Sequence, residues 1–367
     1  MLKRTSPLVT SVVFASIFAA MLSACNPSAN TNQADSNAKN ANNTPSQNDP
    51  ACTNINQTFK AVTENSQIED IRKLDALLET CLPTATPDDK HAWLLTYQSA
   101  WEKFLTVNPP YLTMQGEAVS EQYDLYNKAL ARLANGEALS EKDGSVVGDR
   151  GRYLASLLGK SEVQLIDDGE GEMRFAYDFA PSVQLFAKYL PEDEAAFITQ
   201  RAKEAKEGPA WTLGVLMIEP KALMDRMLFW ENFLRQYPSS YFADDVKLIL
   251  QEERNMVFVN RGCIDFERRN LNPELAEVIT ELAKRQDSIL GDDARTLLAF
   301  MRLSDEARMQ AYPVATTHED DTPLDIDAIT SYQLDKALGS QSHWMKEESS
   351  RICFGYLVCI NSQITEE

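Results

Sequence analysis

Apolar side chains recur at intervals of three and four along most of the chain, the spacing that keeps one face of a helix dry. Ile68, Ile71, Leu74, Leu77 and Leu78 mark one stripe from Gln67 onward, and Trp93, Leu94, Tyr97, Trp101, Phe104 and Leu105 mark a second between Pro87 and Val107. A third stripe, Tyr123, Leu125, Tyr126, Leu130 and Leu133, stops at Asn135-Gly136, residues that tolerate the left-handed backbone of a helix C-terminus. One stretch keeps a different period. Val163-Gln164-Leu165-Ile166 and Met173-Arg174-Phe175-Ala176-Tyr177 flank a Gly-rich acidic segment, which predicts a small β-hairpin over 163–177. A two-stranded hairpin is marginal alone, so it must pack on its helical surroundings.

Further on, Met227 to Gln236 reads as a helix, Tyr237-Pro238-Ser239-Ser240 as a turn, and Tyr241 to Val246 as the start of another helix. Pro238 cannot donate a backbone bond and ends the first helix, while Ser239 or Ser240 can cap the second. A shift of 48 residues lays Leu282 on Leu234, Ser288 on Ser240 and Gly291-Asp292-Asp293-Ala294 on Ala243-Asp244-Asp245-Val246. The first of these units resembles the helix–Tyr-Pro-x-Ser–helix turns of tetratricopeptide-type lipoproteins, whose repeat is shorter at about 34 residues. That resemblance implies stacked helical hairpins that need neighbours to bury their faces. The fold class expected is mostly α, an irregular TPR-like array of helical hairpins with one small β-hairpin. Trp230, Phe233, Tyr237, Tyr241 and Phe242 fall on one face of this unit, as a binding groove or as the hairpin's core.

The first 24 residues do not belong to that body. Lys3 and Arg4 precede an uncharged apolar run from Leu8 to Leu22, the layout of a secretory signal and short for a membrane span. The run closes on Leu22-Ser23-Ala24-Cys25, which resembles the lipobox of bacterial lipoproteins. The resemblance implies cleavage before Cys25 and a diacylglyceryl group on its thiol, so the membrane is a partner through that lipid. In the same family an Asp after the Cys retains the protein in the inner membrane; Asn26 implies an outer-membrane lipoprotein, expected to face the periplasm. Eight of the residues from Asn26 to Pro50 are Asn and four are Ala, the only apolar side chains, so this segment reads as a disordered tether. Its reach is roughly 25–30 Å. The organisation expected is a signal peptide over 1–24, lipidated Cys25 and tether over 25–50, an N-terminal helical part over 51–160, and the β-hairpin with the helical hairpins over 161–367.

Charge and cysteines refine this picture. With 55 acidic and 35 basic residues the chain carries −20, which repels nucleic acid and anionic headgroups. Beyond Cys25 there are five cysteines in an oxidising compartment. Cys52 and Cys81 flank the first helical hairpin, and their bridge closes a loop worth about 3–4 kcal/mol of chain entropy. Of Cys263, Cys353 and Cys359, the pairing expected is Cys263 with Cys353 or Cys359, pinning the apolar strip 352–360 to the body.

Candidate chemistry is sparse. His91, His318 and His343 are too far apart in sequence for a paired metal motif, and the acidic set Asp167, Asp168, Glu170 and Glu172 lacks the spacing of a calcium loop. No cofactor motif is present. Gly214-Val215-Leu216-Met217-Ile218-Glu219 is a poor echo of a segment in lytic transglycosylases, and no catalytic Glu-Ser precedes it. The function expected is therefore a non-enzymatic interaction or scaffold module of the envelope with a protein partner; the alternative is an envelope hydrolase or carbohydrate-binding protein acting on peptidoglycan. The lipobox generates a direct test. Growth with an alkyne fatty acid followed by dye coupling is expected to mark the parent chain and not Cys25→Ser, and equal labelling of the two would refute lipidation at Cys25.

Overall fold

The computed structural model describes residues 52–114, 118–167, 172–212, 215–259, 264–265, 270–271, 273–318, 321–339 and 351–361. The signal, Cys25, the Asn-rich segment, Cys263 and His343 lie outside the described residues. All described residues belong to one compact unit, Pro45–Glu367, with one continuous apolar core.

Helix starts are chemically marked. After α1 (Ile55–Ala61), α2 (Ile68–Cys81) opens on a reciprocal cap in which Gln67 and Asp70 each bond the other's backbone. In α3 (Pro87–Leu105) proline fills the first position and Thr86 accepts from the Asp89 N–H at 3.2 Å. α4 (Ala118–Ala134) ends as the sequence predicts: Gly136 takes φ +80° and donates to the Leu133 carbonyl, and Glu137 donates to that of Arg132. α5 (Glu141–Leu157) repeats the reciprocal cap with Ser140 and Asp143, kinks at Gly148, whose φ is +76°, and packs on α4.

The predicted β-hairpin is present. β1 (Val163–Asp167) pairs antiparallel with β2 (Met173–Tyr177), Val163 opposite Tyr177 and Asp167 opposite Met173. It does not stand alone: Tyr177 stacks on Trp101 of α3 with centroids 4.9 Å apart. Among the described residues there are three shorter, separate ladders, which a periodicity argument cannot register: β3 (Trp211–Thr212) with β4 (Val215–Leu216), β5 (Ile264–Asp265) with β6 (Asn270–Leu271), and β7 (Arg351–Ile352) with β8 (Ile360–Asn361).

The remaining helices pack as hairpins. α6 (Ala180–Phe186) lies on α7 (Glu192–Glu207), α8 (Pro220–Gln236) on α9 (Ala243–Phe258), and α10 (Pro273–Ala283) on α11 (Ile289–Phe300); α12 (Asp305–Ala311) and α13 (Ile326–Leu338) complete the stack. The internal similarity is structural. Asp245 and Asp293, one repeat apart, both lie buried near the starts of α9 and α11, held by Arg351 at 2.8 Å and by Arg254 at 2.7 Å. The expected Ser caps divide. Ser288 accepts from the Gly291 N–H at 3.1 Å and donates to buried Glu231 of α8 at 2.8 Å, locking one hairpin onto the next. Ser240 does not cap α9, which begins at Ala243 after Phe242; Ser240 accepts instead from the Phe242 N–H at 3.4 Å.

Cys52 and Cys81 are bonded, joining the chain before α1 to the end of α2. The expectation for the C-terminal strip is corrected: Cys353 bonds Cys359, closing the strip on itself. It needs no covalent tie to the body because buried polar groups hold its backbone. Gln98 of α3 donates to the Val358 carbonyl at 3.1 Å and accepts from the Val358 N–H at 2.9 Å. Arg201 of α7 donates to the carbonyls of Cys353 and of Tyr356, the latter at 2.8 Å. Cys353, Leu357, Val358 and Cys359 are each 1 % exposed as a result. Gln98→Leu orphans both backbone groups of Val358, so it is expected to cost about 2–3 kcal/mol in urea unfolding. A midpoint equal to the parent's would show that the amide does not hold the strip.

Candidate functional site

α3 ends at Leu105, and after Pro109 the chain runs into a 3-10 turn, Pro110–Thr113, that carries Tyr111 and Leu112. On α4, Tyr123, Tyr126 and Asn127 stand three and four residues apart and share a face. Glu172 and Arg174, two apart on extended chain leading into β2, share another. These three pieces meet in a shallow depression of about 240 Å³, lined also by Val107, Pro109 and Met173. Tyr111 sits edge-on to Tyr123 at 5.6 Å and to Tyr126 at 5.5 Å. The Tyr123 hydroxyl donates to Glu172 at 2.5 Å. Leu112, 60 % exposed, and Met114, 43 % exposed, extend the apolar rim.

The depression adjoins a perturbed acid. Burial pushes the half-buried Glu102 carboxyl of α3 up to about 7 against the opposing charge of Arg174, and its Oε1 has no hydrogen-bond partner. The Tyr126 phenol is pushed up to about 12 by burial and by Tyr111, so it remains a donor across the physiological range. The C-terminal strip closes this edge: a side chain at Gly355, which holds φ +77°, would come within 2.9 Å of the Arg174 guanidinium.

A second depression, between α1 and α2, is lined by Asn54, Gln57, Thr58, Ala61, Val62, Asp70 and Lys73. It has no aromatic wall, and Lys73 is already paired with Asp70 at 3.0 Å. Among the described residues no group of three His, Cys, Asp or Glu side chains is arranged to hold a metal ion. His91 is buried and bonds Glu194 of α7 at 2.7 Å beneath the stacked ring of Tyr241, 3.7 Å away, so the pair fastens α3 to α7 under cover. His318 is exposed in the turn after α12. Glu219 only precedes the first turn of α8.

Of the two readings of the aromatic face, hairpin core holds for Trp230, Phe233 and Phe242. Trp230 is 0 % exposed, Phe233 3 % and Phe242 1 %; they form the interior of the α8–α9 hairpin with Phe197 stacked on Phe242 at 4.3 Å. Tyr237 is half-buried and Tyr241 points out. The depression instead uses Tyr123 and Tyr126, which periodicity assigns to core, together with residues of the predicted hairpin. Its sequence signal was the Tyr-x-x-Tyr-Asn stripe behind a Pro-Pro-Tyr turn, a helix face more polar at its end than a core needs. No known family, curated protein or solved structure matches this chain.

Other acids share the fate of Glu102. Glu253 is raised to about 7, chiefly by burial and then by neighbouring Glu204, although Trp211 donates to it at 3.3 Å. Asp245 is raised to about 6 by burial despite Arg351. Folded-state values above the ordinary carboxylate range mean that the native state holds protons the unfolded chain has already released, so stability falls as pH rises through this window. The melting temperature is expected to be higher near about pH 5.5 than near about pH 8. Glu253→Gln, which removes the desolvated charge, is expected to raise it by a few degrees at the higher pH only. A parent melting curve that is flat between the two pH values would contradict the burial of these acids.

Proposed function

We propose that the chain is a lipid-anchored helical binding module of the cell envelope, tethered at the periplasmic face of the outer membrane, that holds a partner in the tyrosine-lined depression. The observation that carries this reading is the depression itself: half-exposed tyrosines, a carboxylate, a guanidinium and a carboxamide converge on the surface with an exposed apolar rim. Aromatic walls with a few converging polar groups are the usual composition of a binding site. The lipobox and tether read from the sequence would set such a face roughly 25–30 Å from the membrane, within reach of envelope components.

The second reading, an envelope hydrolase, is favoured by one observation, the Glu102 carboxyl raised to about 7 beside Arg174. Glycoside hydrolysis needs a second carboxyl across the scissile bond. In this depression Glu172 would have to fill that part, and it already accepts the Tyr123 hydroxyl. Binding without turnover therefore fits the geometry better.

A photoreactive benzophenone side chain introduced at Leu112 in growing cells tests the binding reading. Irradiation is expected to give a discrete higher-mass envelope adduct that disappears when Tyr111→Ala is added. Adducts that survive Tyr111→Ala, or none at all, would remove the depression as the docking site.

A further inference from the structure

Resting on that reading of the depression as the docking site, we infer that its ligand is an uncharged sugar chain. Three features of the lining point there. First, Glu172 and Asn127 are planar groups that carry two hydrogen-bonding atoms in one plane. That geometry matches a pair of adjacent hydroxyls, each of which both donates and accepts, and the Tyr123 bond at 2.5 Å fixes the Glu172 carboxylate for the task. Second, Tyr111 and Tyr123 are half-buried, so each leaves part of an aromatic ring facing the depression, against which the C–H face of a pyranose can lie. A tyrosine offers an apolar body and a polar tip, as a sugar does. Third, the charges in the lining are one carboxylate and one guanidinium, which cancel.

The shape agrees. Sites for small metabolites bury about 70–90 % of their ligand. This depression is open and shallow, which suits a chain that lies across it and contributes one or two units. The chain's −20 charge disfavours a polyanionic glycan at long range. An extended proline-rich peptide is the competing occupant of an aromatic lining, and it is one of the probes of the test.

The test is calorimetric titration of the full chain in detergent micelles with the N-acetylglucosamine tetramer, with a proline-rich decapeptide, and with an oligosaccharide bearing a carboxylate on alternate sugars. Saturable binding of the neutral tetramer is expected, with affinity lowered about tenfold or more by Tyr123→Ala and by Asn127→Ala. Asn127 is only half-buried, so Asn127→Ala keeps the result readable if Tyr123→Ala unfolds; both variants are checked by circular dichroism. Tighter binding of the carboxylated sugar, or of the peptide, would overturn the neutral-glycan inference while leaving the depression a docking site. Tetramer binding that neither variant weakens would place the sugar elsewhere and overturn the inference. Absence of binding to all three probes overturns it as well, and the benzophenone adduct at Leu112 then decides separately whether the depression docks anything.

Discussion

One buried carboxamide organises the end of the chain and, through it, the site. Gln98 is 1 % exposed in the middle of α3 and matches its donor and acceptor to the carbonyl and N–H of Val358, far away in sequence. A buried amide that finds both partners is stabilising, and one that lost them would be costly, so the contact tolerates a single position of the strip. That position sets Arg201 against two further carbonyls and brings Gly355 onto the Arg174 guanidinium. Arg174 is thereby confined between the strip and the tyrosines. The edge of the depression is thus built from both ends of the sequence.

This also explains how a strip closed by its own disulfide can be as buried as a strand in a sheet. The Cys353–Cys359 bond fixes only the loop, so every constraint on where it sits must come from side chains of the body. Arg351 supplies one more, reaching back to Asp245 at the start of α9. Asp293, the equivalent residue in the next hairpin, is held from within the stack by Arg254. The same buried aspartate therefore serves two interfaces, helix on helix in one unit and strip on helix in the other.

Periodicity made most of the fold legible. The stripes at 68–78 and 93–105 became α2 and α3, the Asn-Gly signal ended α4, and alternation located β1 and β2 with the strands intact. Local chemistry also located the Cys52–Cys81 bridge, because it closes over a single hairpin. The pairing of Cys263 depended on which distant segment lies opposite, and apolar spacing says which face is dry but not what covers it, which also left the Trp230 face open between groove and core. The depression was hidden for the same reason: Tyr111, Tyr123 and Arg174 come from three elements that no local pattern links.

The balance of charge fits a body of this kind. An acidic surface is inexpensive when its carboxylates stay wet, but Glu102, Glu253 and Asp245 have been drawn inward far enough that burial outweighs nearby arginines. Glu253 serves the packing of α9 against the β3 tryptophan. Glu102 serves no contact of its Oε1, and it stands beside the one guanidinium that lines the depression. A desolvated carboxylate oxygen without a hydrogen-bond partner costs stability. Glu102 therefore gains from holding a proton, which burial favours and Arg174 opposes.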